Sequence, residues 1–132
     1  MKIAPLVAVA AGLLVAAPLS AHHSFDAEFH RDKTITVTGT VTKLEWMNPH
    51  ARIYVNGADE TGKVQVWDFE LGPPNGLMRR GWNRNSLREG HKVTVTGFRS
   101  KTSTSIANAR TVTLADGRQV FAGSSFDAGP TQ

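Results

Sequence analysis

A chain of 132 residues with 40% hydrophobic residues, a formal charge of +4 and no cysteine can fill one modest core. The missing cysteines exclude disulfides, thiolate metal ligands and a lipid-bearing cysteine behind a leader. The positive charge is spread along the chain rather than gathered into a stripe, which argues against nucleic acid as a partner.

The first element is a leader. Lys2 precedes an apolar run over residues 3–19, interrupted by Pro5, Gly12 and Pro18, and no basic cluster stops it. A positive start, an apolar middle and a small residue at the exit form the pattern of a secretory signal peptide. Cleavage after Ala17 would leave Pro18 against the cut, whereas cleavage after Ala21 starts the mature chain at His22. The reading is therefore a signal peptide over 1–21, a folded domain over 22–122 and a flexible, small and polar tail over 123–132. The expected location is periplasmic or secreted, with no membrane insertion once the leader is removed.

The strands follow in order. Residues 34–41 alternate, with Ile35, Val37 and Val41 on one face and threonines on the other, which predicts a half-buried strand. At Thr42-Lys43 the phase flips to Leu44 and Trp46, which demands a bulge, and Gly39 offers a bend just upstream. Asn48-Pro49 ends the strand. Ala51, Ile53 and Val55 mark a second strand, with 56–62 as its return loop. A third runs from Val64 to Leu71 and carries a further phase change, from Val64 and Val66 to Trp67, Phe69 and Leu71. Trp46 and Trp67 are read as core. Between Gly72 and Gly90 lies a short helix over Leu77–Arg80, stopped by Gly81. Lys92–Phe98 and Ile106–Leu114 are the fourth and fifth strands, and Asp116-Gly117 turns the chain into a short partner at Gln119–Phe121.

Short strands, a long bent first strand and one helix between strands three and four predict an all-β fold, a small OB-type five-stranded barrel. The alternative is an immunoglobulin-type sandwich, which ordinarily has seven strands and no helix.

The motifs His22-His23-Ser24-Phe25, Gly39 to Trp46 with Asn48-Pro49-His50, Leu71-Gly72 with Asn75-Gly76-Leu77, Arg79-Arg80-Gly81-Trp82 and Asn85-Ser86-Leu87 resemble a family of small exported bacterial proteins built on a domain of unknown function. The resemblance spans nearly the whole mature chain and implies a periplasmic barrel. It carries no activity, so function has to be read from the residues.

Cleavage after Ala21 would give His22 a free amine next to its ring nitrogen, and His23 a second imidazole beside it. Such a nitrogen-rich set suits Cu(II) or Ni(II). Cleavage one residue earlier would place His23 third in the chain, an arrangement that also binds Cu(II). A defined site needs a further ligand from the folded body: His50, behind Asn48-Pro49, or His30, eight positions from His22. Imidazoles gather metal readily, and His50 could equally bond its own turn. His91 reads as a solvated turn residue.

A second constellation, Arg79, Arg80, Trp82 and Arg84, with Arg88, Asn83 and Asn85 around it, sets guanidinium forks beside an indole. It could grip a carboxylate, a phosphate, a glycan or an anionic partner protein, or be a solvated basic loop with Trp82 packed inward. Glu45, Asp68 and Glu70 are the only legible acid–base candidates, and same-face carboxylates on a strand are ordinarily its wet side. The reading is a non-enzymatic binding protein with a copper-class site at His22, His23, His50 and His30, and an exported oxidoreductase or other periplasmic protein as its partner. A protein- or glycan-binding module built on the arginine loop is the alternative, and a small hydrolase the third.

Overall fold

The computed structural model describes residues 23–128. The expected leader and His22 lie outside the described residues, and of His23 only the backbone is described. The elements are α1 (His23–Glu28), β1 (Phe29–Glu45), β2 (Arg52–Asp59), β3 (Val64–Glu70), α2 (Pro74–Met78), β4 (Lys92–Ser100), β5 (Ile106–Leu114) and β6 (Gln119–Phe121), with a final 3-10 turn at Ser125–Ala128. No helix among the described residues is long and apolar enough to cross a membrane.

The fold is all-β. The strands lie in the order β3-β2-β1-β4-β5-β6, and a parallel pairing of β3 with β5 closes five of them into a ring. All other pairings are antiparallel. The long β1 pairs with β4 through its first part and with β2 through its second. Val37 to Thr40 pair on both sides, and just beyond them the β1–β2 register shifts between Val41 and Lys43, where the sequence phase flips.

Two glycines let strands approach closely. A Cβ on Gly39 would collide with the Asn56 carbonyl across β2, and one on Gly97 would collide with the Asn108 carbonyl across β5. Gly97 also sits at the second irregularity, where the β4–β5 register shifts after Thr96.

The ring interior holds the inward members of each alternation, among them Ile35, Val37, Val41, Ile53, Val55, Phe69, Val95 and Val112, each at most 1% exposed. The segment between β3 and β4 adds Leu77, Trp82 and Leu87 to the same core. Trp67 is buried in it, and its indole N–H donates to the Gly57 carbonyl at 3.1 Å. Trp46 packs against it half-buried.

Several elements differ from the sequence reading. β1 begins five residues early and is preceded by α1, whose Phe25 packs with Phe29, Phe98 and Phe126 in a separate aromatic cluster. β2 continues to Asp59, because Gly57 opposes Gly39 and the strand crosses the expected loop. β3 keeps one register against β2 from Val64 to Glu70, so it carries no phase change. Val64 and Val66 simply face outward, 69% and 51% exposed. The helix lies over Pro74–Met78 rather than Leu77–Arg80, since Pro74 sits well in a first helical turn. The stretch expected to fray is anchored through Ala128: Ser124 is buried, Phe126 lies between the Arg31 and Arg110 guanidinium groups, and Arg110 forks Asp127.

Candidate functional site

Residues 50, 52 and 54 share the outward parity opposite Ile53 and Val55, and Asp68 and Glu70 do the same on β3. The β2–β3 register sets Arg52 opposite Glu70 and Tyr54 opposite Asp68. Arg52 reaches diagonally to Asp68 in a two-point fork of 2.7 and 2.9 Å, and its second arm stands 4.0 Å from Glu70. Lys43 and Glu45 extend the row on β1, with the Tyr54 hydroxyl donating to Glu45 at 3.3 Å. A continuous band of alternating charge thus crosses three strands, an arrangement that cross-strand pairing favours.

At one end of the band stands His50. The Ala51 N–H donates to Gly72 and its carbonyl accepts from Leu71, which prolongs the β2–β3 ladder by one step. The residue before Ala51 is thereby held beside Glu70, with His50 Nδ1 3.5 Å from the Glu70 carboxylate. The peptide bond between Asn48 and Pro49 is cis.

Glu70 is only 8% exposed and would be a costly group to bury alone. It accepts from the Asn108 amide at 3.3 Å, and the Asn108 carbonyl in turn accepts from the Ser124 hydroxyl at 2.5 Å. The Ser124 oxygen receives the Phe126 N–H at 3.1 Å. A chain of hydrogen bonds therefore runs from the C-terminal turn through Asn108 to Glu70, whose carboxylate stands beside the partly exposed imidazole. The Glu70 carboxylate beside it raises the His50 pKa above its ordinary value, against the opposing effect of burial, and the charge of Glu28 adds to the rise.

The remaining sequence candidates fall elsewhere. His30 lies near Asp32 at 3.9 Å and opens on a cleft with Lys33 and Arg99. Among the described residues no three histidine, aspartate or glutamate side chains stand close enough to hold a metal. Asp68 is committed to Arg52 and Glu45 to Lys43, so the carboxylates form charge pairs rather than an acid–base couple. In the arginine loop Trp82 is buried at 4% exposure, while Arg79, Arg80 and Arg84 are exposed. A hollow of about 160 Å³ lies between Arg80, Trp82 and Leu87 on one side and Leu114, Arg118 and Val120 on the other.

Asn108, Ser124 and Glu28 were not singled out from the sequence. Asn108 carried a faint signal, a polar residue between Ala107 and Ala109 in a strand. Ser124 carried none, because its role depends on the C-terminal turn folding back over β5.

Comparison with family models gives a match over residues 10–108 to the Family of unknown function (DUF6152), and the chain belongs to that family. Neither the curated proteins nor the solved structures gave a match.

Proposed function

We propose that this member of the DUF6152 family is a non-enzymatic exported binding protein that takes copper or a similar ion between His50 and its processed N-terminus. The observation that carries this reading is the pairing of His50 Nδ1 with the buried Glu70 carboxylate. A ligating histidine characteristically gives its second ring nitrogen to such a carboxylate, which fixes the ring and strengthens the donor. Among the described residues His50 Nε2 has no partner, so the free nitrogen is the one a metal would use.

The N-terminal side supports the same reading. α1 begins at His23 and is docked by Phe25 and Phe29 against Phe98, with centroid separations of 5.4 to 5.5 Å from Phe25. The charge of Glu28, at the end of α1, is felt at His50. The described chain thus enters the body through a helix that is anchored from its first turn. An amine and imidazole from His22, an imidazole from His23 and Nε2 of His50 form the nitrogen set that Cu(II) favours. His30 opens instead on the cleft with Lys33 and Arg99. An exported oxidoreductase that receives the ion is the partner class.

The ring itself we read as an OB-type barrel in the periplasm. Its closure order β1-β2-β3-β5-β4, the strand shared by two neighbours and the helix between β3 and β4 support that assignment.

The test begins with sequencing the N-terminus of the exported product, followed by Cu(II) titration of that form with EPR detection. His50→Ala should lower affinity at least tenfold and change the spectrum, and Glu70→Gln should do so less. An unchanged affinity and spectrum in His50→Ala would sink the metal reading.

A second reading rests on the hollow beside the arginine loop. The buried Trp82 indole nitrogen lacks a hydrogen-bond partner among the described residues, and Arg80 and Arg118 flank the opening. A glycan or an anionic partner protein would meet guanidinium forks there. Charge reversal at Arg79 and Arg80 should then abolish partner capture and leave Cu(II) affinity intact.

A further inference from the structure

The β3–β5 ladder that closes the ring covers only Asp68–Glu70 against Ile106–Asn108. Ahead of it the two chains separate. The gap is bridged by the Asp68 N–H donating to Ser105 at 2.9 Å and the Gln65 amide donating to Thr104 at 2.8 Å. The irregular stretch of β1 between Phe29 and Thr34 carries His30 and Lys33 to the same place, and the end of β4 brings Arg99. The result is a cleft of about 260 Å³ lined by His30, Lys33, Lys63 and Arg99, with hydroxyls from Ser103 and Thr104. No acidic side chain lines it.

Arg99 is held from behind. Its guanidinium donates to Asp59 at 3.2 Å and to Glu60 at 2.6 Å. Asp59 is itself fixed by N–H groups of Thr61 and Lys63 and by the Thr61 hydroxyl. These carboxylates orient the guanidinium and offset its charge without entering the cleft. Lys33 and Lys63 differ, because neither makes an ion pair among the described residues. Two uncompensated ammonium groups, an oriented guanidinium and hydroxyl donors around one opening form a donor set without acceptors of matching charge. A tetrahedral oxyanion supplies several acceptor oxygens and one or two negative charges to such a set. The opening is larger than a bare ion, so a group carried on a larger molecule fits it.

We propose that this cleft binds a phosphate or sulfate group borne by a small molecule or glycan. The site is independent of the histidine reading and is tested with metal absent.

The experiment is an amide-shift NMR titration of the mature, metal-free protein with inorganic pyrophosphate and, separately, a sulfated disaccharide, at constant ionic strength. Saturable shifts should appear at Lys63, Ser103 and Thr104 with a Kd of about 1 mM or tighter. The double variant Lys33→Gln/Lys63→Gln should bind about tenfold more weakly, whereas Lys43→Gln/Arg88→Gln, of the same charge change, should bind as the parent does. Tighter binding of the pyrophosphate assigns a phosphate ligand, and tighter binding of the disaccharide a sulfated one. Shifts that do not saturate, or equal weakening in both double variants, would reduce the effect to general charge screening and overturn the proposal.

Discussion

Along the band that crosses β1, β2 and β3 the charges meet their opposites: Lys43 with Glu45, Arg52 with Asp68, and His50, just ahead of β2, with Glu70. At the other edge of β3, Lys33 and Lys63 make no ion pair among the described residues, and the cleft between them holds no acid. The first region lies within a strand register that places opposite side chains side by side. The second lies where pairing gives out, so nothing in the ladder brings a counter-charge to it. Where the ladder is complete the protein satisfies its own charges. Where the ladder ends, two exposed ammonium groups are left without a counter-charge among the described residues.

The largest test of that contrast is Glu70→Ala. Removing the carboxylate leaves the Asn108 amide buried without its acceptor and Arg52 and His50 short of a counter-charge, at a cost of about 3 kcal/mol. Urea denaturation measures it, and Glu70→Gln should cost about 1 kcal/mol because an acceptor oxygen remains. A loss in Glu70→Ala no greater than at an exposed site would show the band to be incidental.

Next comes the acid limb of stability, which probes the support behind the cleft. Hydrogen bonds from Thr61 lead the causes that hold the Asp59 carboxyl at about 2, down from 3.8. A lowered folded-state pKa means that its contribution is complete above 3.8 and is lost as pH falls through about 2. Thermal unfolding from pH 5 to 2 should show this decline, and Asp59→Asn should flatten it.

A smaller effect of opposite sign belongs to His50. Its pKa is raised, chiefly by Glu70, so the pair stabilises fully below an unfolded value of about 6.5 and the contribution is lost as pH rises through the higher folded value. Partial exposure keeps the effect under about 1 kcal/mol. Melting curves between pH 5.5 and 8.5 should show it in the parent and not in His50→Gln.

The smallest expected change is the stability of Lys33→Gln/Lys63→Gln, within about 0.5 kcal/mol of the parent. A marked loss would mean that these lysines are structural after all and that the two regions are alike.

Much of the fold could be read directly. The threonine–valine alternation of β1 and its flip at Thr42, the alternation of β4 and the Asp116-Gly117 turn are each local signals, and local signals survive in sequence. Val64 and Val66 misled the reading, because exposed apolar residues mimic a change of phase. α1 was missed for a related reason. It is six residues long and depends on Phe25 meeting Phe98 and Phe126, which are far away along the chain.

The site divides in the same way. His50 was legible as a histidine fixed behind Asn48-Pro49, but its partner was not. Glu70 looked like one of two wet carboxylates, and its burial follows from β5 closing the ring against β3 and from Asn108 and Ser124 arriving with it.

By itself the sequence determined the all-β character and the irregularity in β1, because each follows from neighbours along the chain. Only the tertiary structure decided which charges are paired and which are left open. That depends on the register between residues as far apart as Glu70 and Asn108 and on where the closing ladder stops.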